Sequence, residues 1–344
     1  MRVDIWCGLK EVPDDLRGSV VTIGVFDGVH RGHQTLMRRA VRKARELGVP
    51  CVMVTFDPHP ISVFLPGRQP TQLAPIDYRL HLAGEQGIDA ALVIDFTREL
   101  AGLSAEDYFT TMLVKTLHAR AVVVGENFTF GADGSGTDET MRRLGALHGV
   151  DVEIMPLVHD QGICICSSLV REYLAHGEIE RANWALGRRY AVRGEVVRGA
   201  GRGGKELGYP TANLYFPESV ALPADGVYAG WFTITDDRAI DRDISRDIDG
   251  DMVPGIRYPS AISVGTNPTF GDERRSVEAF VIDRDADLYG HHVMVEFVGH
   301  LREMVRFNGV RDLLDAMARD VSKAREILGH DEKLLKADAQ LPPA

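Results

Sequence analysis

Five short, mostly apolar runs, separated by stretches of helical periodicity, limit what the first half of this chain can become. They are Ser19–Val25, Cys51–Phe56, Ala90–Asp95, Ala121–Gly125 and Val150–Met155. Runs of this kind alternating with helices predict a doubly wound parallel sheet, buried on both faces. Helical spacing covers His33–Leu47, Tyr78–Glu85 and Ser104–Leu117, the last opening on a capping Ser with Glu106 and Asp107 behind it. Ligands of such sheets bind beyond the carboxyl ends of the strands. Chemistry is therefore expected in the loops after Val25, Phe56 and Gly125.

Near Gly187 the rhythm changes. Arg189–Val197, Leu214–Phe216, Val227–Thr235, Ala261–Gly265, Val277–Ile282 and His292–Val298 read as short strands punctuated by Gly and Pro. That pattern predicts an antiparallel β-barrel or sandwich. Leu313, Leu314, Met317, Val321 and Leu328 then share one face of a C-terminal helix over Gly309–Leu328. The 344 residues thus divide into an α/β domain over 1–186 and a β domain over 187–330. Residues 331–344 are expected to fray, and Asp236–Asp251, alternating Asp and Arg, to be a solvated loop. No internal repeat relates the halves.

A net charge of −11 argues against a nucleic-acid partner. No apolar stretch approaches the roughly 20 residues of a membrane span, and Met1–Lys10 lacks a secretory pattern, so a cytoplasmic protein is expected. Cys7, Cys51, Cys164 and Cys166 read as reduced thiols, with no second Cys or His pair at zinc spacing. A homo-oligomer is compatible with all of this.

Thr22–His33 reads TIGVFDGVHRGH. A strand enters a turn containing Gly24, Phe26, Asp27 and Gly28, then a helix expected to carry His30 and His33 on one face. Glycines admit a ligand to the backbone, and a helix N-terminus offers free amides to phosphate. The histidines could donate to phosphate oxygens as charge builds at phosphorus. A metal pair is the competing reading, but zinc motifs on helices use four-residue spacing and a third ligand. The pattern resembles the HxGH signature of the nucleotidylyltransferase superfamily, and Ile165–Arg171 (ICSSLVR) resembles its second signature, ISSTxxR. By that resemblance Ser167, Ser168 and Arg171 bind the triphosphate. Thr55–Pro60 (TFDPHP) and Val124–Gly131 (VGENFTFG) resemble one branch, the FMN adenylyltransferase half of bacterial bifunctional riboflavin kinase/FAD synthetases. This implies that His59 contacts ATP and Asn127 helps place FMN or nucleotide. Cys164 and Cys166 stand where relatives often carry Arg and Ser. The expectation is an adenylylation site that is weakened, or that recruits another cation.

Gly199–Lys205 (GAGRGGK) satisfies GxGxxG and part of a P-loop, but both need a helix directly afterwards. ELGYPTAN, with Gly208 and Pro210, cannot start one. What remains is a glycine-rich loop in which Gly201, Gly203, Gly204 and Lys205 can wrap phosphates. Pro210–Asn213 (PTAN), Val264–Phe270 (VGTNPTF) and Ser276–Asp283 (SVEAFVID) resemble the riboflavin kinase half of the same family. The resemblance implies that Thr211 and Asn213 hold Mg²⁺ with ATP, that Glu278 is the general base, and that Arg302 and Phe307 lie near the flavin. It implies a barrel rather than a sandwich, with ATP, riboflavin, FMN and FAD as the molecules handled. Competing readings are a nucleotidylyltransferase for another acceptor, an RNA-binding relative of aminoacyl-tRNA synthetases, and a flavin binder with an impaired adenylylation site.

Overall fold

The computed structural model describes residues 3–198, 208–235, 250–267 and 272–338. It forms two compact units, Met1–Leu169 and Val170–Ala344.

The first unit is built on a six-stranded parallel sheet with chain-ordered strands β1 (Asp4–Cys7), β2 (Ser19–Ile23), β3 (Cys51–Phe56), β4 (Ala90–Ile94), β5 (Ala119–Gly125) and β6 (Asp151–Met155). Their spatial order is β1-β4-β3-β2-β5-β6. The helices between them are α1 (Arg31–Leu47), α2 (Pro60–Phe64), α3 (Ile76–Glu85), α4 (Arg98–Ala101), α5 (Ala105–Tyr108) and α6 (Asp138–His148). Every residue of β2 and β3 is buried, as apolar strands covered on both faces require. α1 packs its Leu36, Met37, Ala40 and Ala44 face toward β2, β3 and β5. On the opposite face Val21, Val54, Leu92 and Val122 form one core with Phe109, Met112, Leu113 and Leu144.

Three local features differ from expectation. β1 is a sixth strand at the sheet edge; it is short and largely exposed, so it carries no apolar run to betray it. α6 buries only Met141, Leu144 and Gly145, too narrow a stripe to read from spacing. The helix expected over Ser104–Leu117 is α-helical only to Tyr108, and Phe109–Thr116 continues with the wider π-helical turn, Leu117 N bonding Met112 O at 3.1 Å.

A hairpin, β7 (His159–Asp160) with β8 (Ile163–Cys164), precedes α7 (Ser167–Ala175) and α8 (Ile179–Leu186). The second unit holds β9 (Tyr190–Glu195), β10 (Ala212–Tyr215), β11 (Gly226–Ile234), β12 (Arg257–Asn267), β13 (Asp272–Val281) and β14 (His292–Glu303). They form an antiparallel sheet in the order β10-β13-β12-β11-β14-β9. Val197 N donates to Asn213 O at 2.9 Å, joining the two outer strands and closing a barrel. The C-terminal helix α9 (Val310–Asp338) lays Val321, Ala324 and Leu328 against Ala229, Trp231, Ala261 and Phe280.

The compact units meet earlier than the change in sequence rhythm at Gly187. α8 buries Ile179, Ala182, Ala185 and Leu186 on the barrel side, and Asn183 bridges Phe297 O and Tyr190 N. The tail expected to fray from residue 331 instead continues α9 to Asp338. Asp331 explains it, accepting from Arg189 and from Trp231 Nε1. Most of the Asp236–Asp251 loop and the glycine-rich stretch with Gly201, Gly203, Gly204 and Lys205 lie outside the described residues.

Candidate active sites

In the first unit the strand order reverses between β2 and β5, the switch point where open α/β sheets take ligands. A cavity of about 790 Å³ opens there, lined by the loops after β2 and β5 and by the start of α7. Gly24, Phe26, His30, His33, Asn127, Ser167 and Ser168 all line it.

The turn after β2 is wound tightly. Phe26, Gly28 and Val29 have φ of 54°, 76° and 40°, a conformation that non-glycine residues adopt only when their surroundings fix it. The fixing groups are identifiable. Asp27 is buried, and its carboxylate accepts from the amides of Leu73 at 3.0 Å and Ala74 at 3.1 Å. Asp27 was expected to handle phosphate; its side chain instead clasps the turn from outside the cavity, because two backbone amides already occupy it. Gly28 is not a lining residue either, and a Cβ there would come within 2.8 Å of Leu73.

His30 does not ride on α1 as expected but caps it, with extended backbone at φ −68° and ψ 171°. Its Nδ1 accepts from His33 N at 3.4 Å, which places the ring proton on Nε2 as a donor. The two rings stack with centroids 3.6 Å apart, and Phe26 meets His33 edge-on at 5.2 Å. Gly32, which received no role from the sequence, makes this possible. A Cβ there would lie 3.0 Å from the His30 ring and 3.2 Å from Ile165 O. Ser167 Oγ donates to Asp27 O at 2.9 Å, tying the second signature to the first across 140 residues. His59 is outside the lining; its Nδ1 accepts from Ile61 N at 3.2 Å and caps α2. Arg171 stands on α7 one turn beyond Ser167, in the second unit. Cys166 lines the cavity, while Cys164 pairs with His159 in the hairpin. Burial, with Cys166 and Glu126 close by, pushes the Cys164 thiol up. The far wall is aromatic: Phe56, Phe64, Phe96, Tyr108, Phe128 and Phe130.

In the barrel, cross-strand pairing assembles the second group. Asn213 on β10 faces Glu278 on β13, which faces Ser263 on β12, which faces Val227 on β11, which faces Arg302 on β14. Directly paired residues share a face, so Asn213, Glu278 and Arg302 belong to one row on the side that α9 covers. Asn213 Nδ2 donates to Thr211 O at 3.0 Å and sits 3.4 Å from Thr211 Oγ1, which leaves Oδ1 as its acceptor for a cation. Ser276 Oγ lies 3.3 Å from Glu278 Oε1. Arg302, expected beside the flavin, grips Asp320 of α9 with Nε and Nη2 at 2.8–3.0 Å and stands over the Phe307 ring. Its guanidinium is already engaged in the protein, so it braces one end of the row.

Residues 12–169 match the family model for FAD synthetase, and residues 186–328 match that for riboflavin kinase. A bifunctional riboflavin kinase/FMN adenylyltransferase of Pseudomonas fluorescens is 35% identical over 93% of this chain and 96% of its own length. One from Escherichia coli K12 is 31% identical over the same shares. A crystal structure of a Streptococcus pneumoniae protein, described as a macrolide-efflux protein, superposes with a TM-score of 0.79 at 31% identity, over 94% of this chain and 98% of that one. With the two domain matches in this order and relatives aligned over nearly their whole length, the chain belongs to the bifunctional riboflavin kinase/FMN adenylyltransferase family.

Proposed function

We propose that the barrel phosphorylates riboflavin with ATP, that the α/β unit adenylylates the resulting FMN to FAD, and that the two sites differ in kind. An alcohol attacking the outer phosphorus of ATP must lose a proton; Glu278 accepts it, a contribution typically worth about 10²–10⁴-fold. The observation that carries this reading is the cross-strand pair of Glu278 with Asn213, whose side chain reaches Thr211. Thr211 Oγ1 and Asn213 Oδ1 are neutral hard oxygens of the kind Mg²⁺ takes beside phosphate and water. They would hold it there, and it would neutralise charge on the transferring phosphoryl group.

FMN needs no protein base, because its phosphate is already ionised. Its attack on the inner phosphorus of ATP, releasing pyrophosphate, is served by position and by charge. His30 Nε2, the start of α1 and the Ser168 hydroxyl are the donors around the triphosphate, Ser167 being spent on Asp27 O, and the aromatic wall suits the flavin ring. No helix among the described residues is long and apolar enough to cross a membrane, and action in the cytoplasm is part of this proposal. Cys166, lining the cavity where relatives often offer a hydroxyl, favours a second reading in which FAD formation is the slower activity.

The test is incubation with riboflavin and Mg·ATP, resolving FMN from FAD. Both products are expected; neither would overturn the assignment. His30→Ala should stop FAD formation and spare FMN. Glu278→Ala should block phosphorylation while FMN supplied directly is still adenylylated. Loss of both activities from either change in a folded protein would refute two separate sites.

A further inference from the structure

Arg79, on α3, is 3% exposed and takes no part in the chemistry above. Its bonds are long: Nη1 reaches Thr55 Oγ1 at 3.4 Å and Phe56 O at 3.5 Å, and Nη2 reaches Ala74 O at 3.4 Å. Its Nε is buried with no partner. Burial lowers the Arg79 pKa, and the charges of Asp27 and Asp57 hold it up. A guanidinium stays protonated even so. A cation buried this loosely contributes little to stability, since desolvation offsets most of what its neighbours return. Its location gives it another use.

Arg79 lies one layer below the cavity of the first unit. Thr55, which it touches, donates to Val25 O at 3.1 Å, and Val25 and Phe56 both line the cavity. Ala74, which it also touches, is held by Asp27 of the phosphate turn. One side chain thus bonds the end of β3, where one loop leaves, and the Ala74 segment, and it is tied to the loop after β2 through Thr55 and Asp27. Those loops carry two carboxylates, Asp27 and Asp57, beside a cavity read as taking a polyanion.

We propose that Arg79 is a positioning residue of the adenylylation site, neutralising Asp27 and Asp57 from beneath and holding their two loops so that the cavity accepts a nucleoside triphosphate. The inference rests on that cavity being the ATP site. Arg79 touches no reacting atom, so it acts on binding more than on turnover.

The test is FAD formation from supplied FMN and Mg·ATP. In Arg79→Met the KM for Mg·ATP should rise about tenfold, the loss of one partly screened charge interaction. Turnover should change by less than about threefold in folded R79M. Combining R79M with D57N should recover at least half of the logarithmic rise, a rescue that a purely structural arginine would not allow. D57N alone should lower the KM, and this arm stands even if R79M does not fold. A parent-like KM in folded R79M, no recovery in the double variant, or no change in D57N overturns the inference. A parent protein that forms no FAD sinks the site reading instead.

Discussion

Gly32 carries the sharpest test at the residue scale. A methyl group there must displace either the His30 ring or the chain at Ile165. Gly32→Ala should cut FAD formation at least about tenfold, since misplacing a catalytic group by a fraction of an ångström is costly. FMN formation should be unchanged, as a coupled assay of both products would show. Cys164→Arg should raise the rate of FAD formation, because a missing cationic donor can cost about 10²–10³ in rate. No gain in steady-state turnover would remove that idea. His30, His33, Ser167 and Glu278 could be singled out because each sits in a local pattern whose chemistry is visible in the residues. The clasp made by Asp27, the clearance at Gly32 and the place of Arg79 escaped the sequence for one reason. What each does is set by partners far off in the sequence, Leu73, Ile165 and Thr55.

At the scale of elements, α9 is fixed by charge at both ends of its apolar seam. Asp320 holds Arg302, and Asp331 holds Arg189 and Trp231. Removing Asp331 leaves Arg189, with a side chain only 14% exposed, without that carboxylate, and Asp331→Ala should destabilise the barrel by about 2–4 kcal/mol in urea unfolding. Near this seam Glu296 is buried, which raises its carboxyl above the usual 4.5, while Arg257 and Arg189 oppose the rise. A carboxyl raised in the folded state stabilises most below its unfolded value and loses that contribution as pH rises through the folded one. Glu296→Gln should therefore flatten the parent's loss of barrel stability as pH rises above about 4.5. Unchanged slopes for parent and variant would contradict it. The strands were legible because buried β segments advertise themselves by composition. β1 and α6 were not, since an exposed edge strand and a helix burying three residues have almost no apolar signal.

On the scale of the whole molecule, the order of two domains could be read from the change in rhythm, but the packing boundary could not. Glycine and strand patterns change at residue 187, whereas α8, before it, belongs physically to the barrel. A fragment starting at Val170 should therefore be more stable than one starting at Gly187 by about 3 kcal/mol or more, from the burial of Ile179 and Leu186 alone. Thermal unfolding of the two fragments, with riboflavin phosphorylation measured in each, checks this; equal midpoints would deny α8 its place. The closed barrel has a consequence of its own. Counted either way round the ring of six strands, β13 and β14 stand three apart, so Glu278 and the Arg302–Asp320 clamp lie on opposite sides of it. The side chain that would take a proton and the one that moors the last helix are thereby kept out of each other's reach.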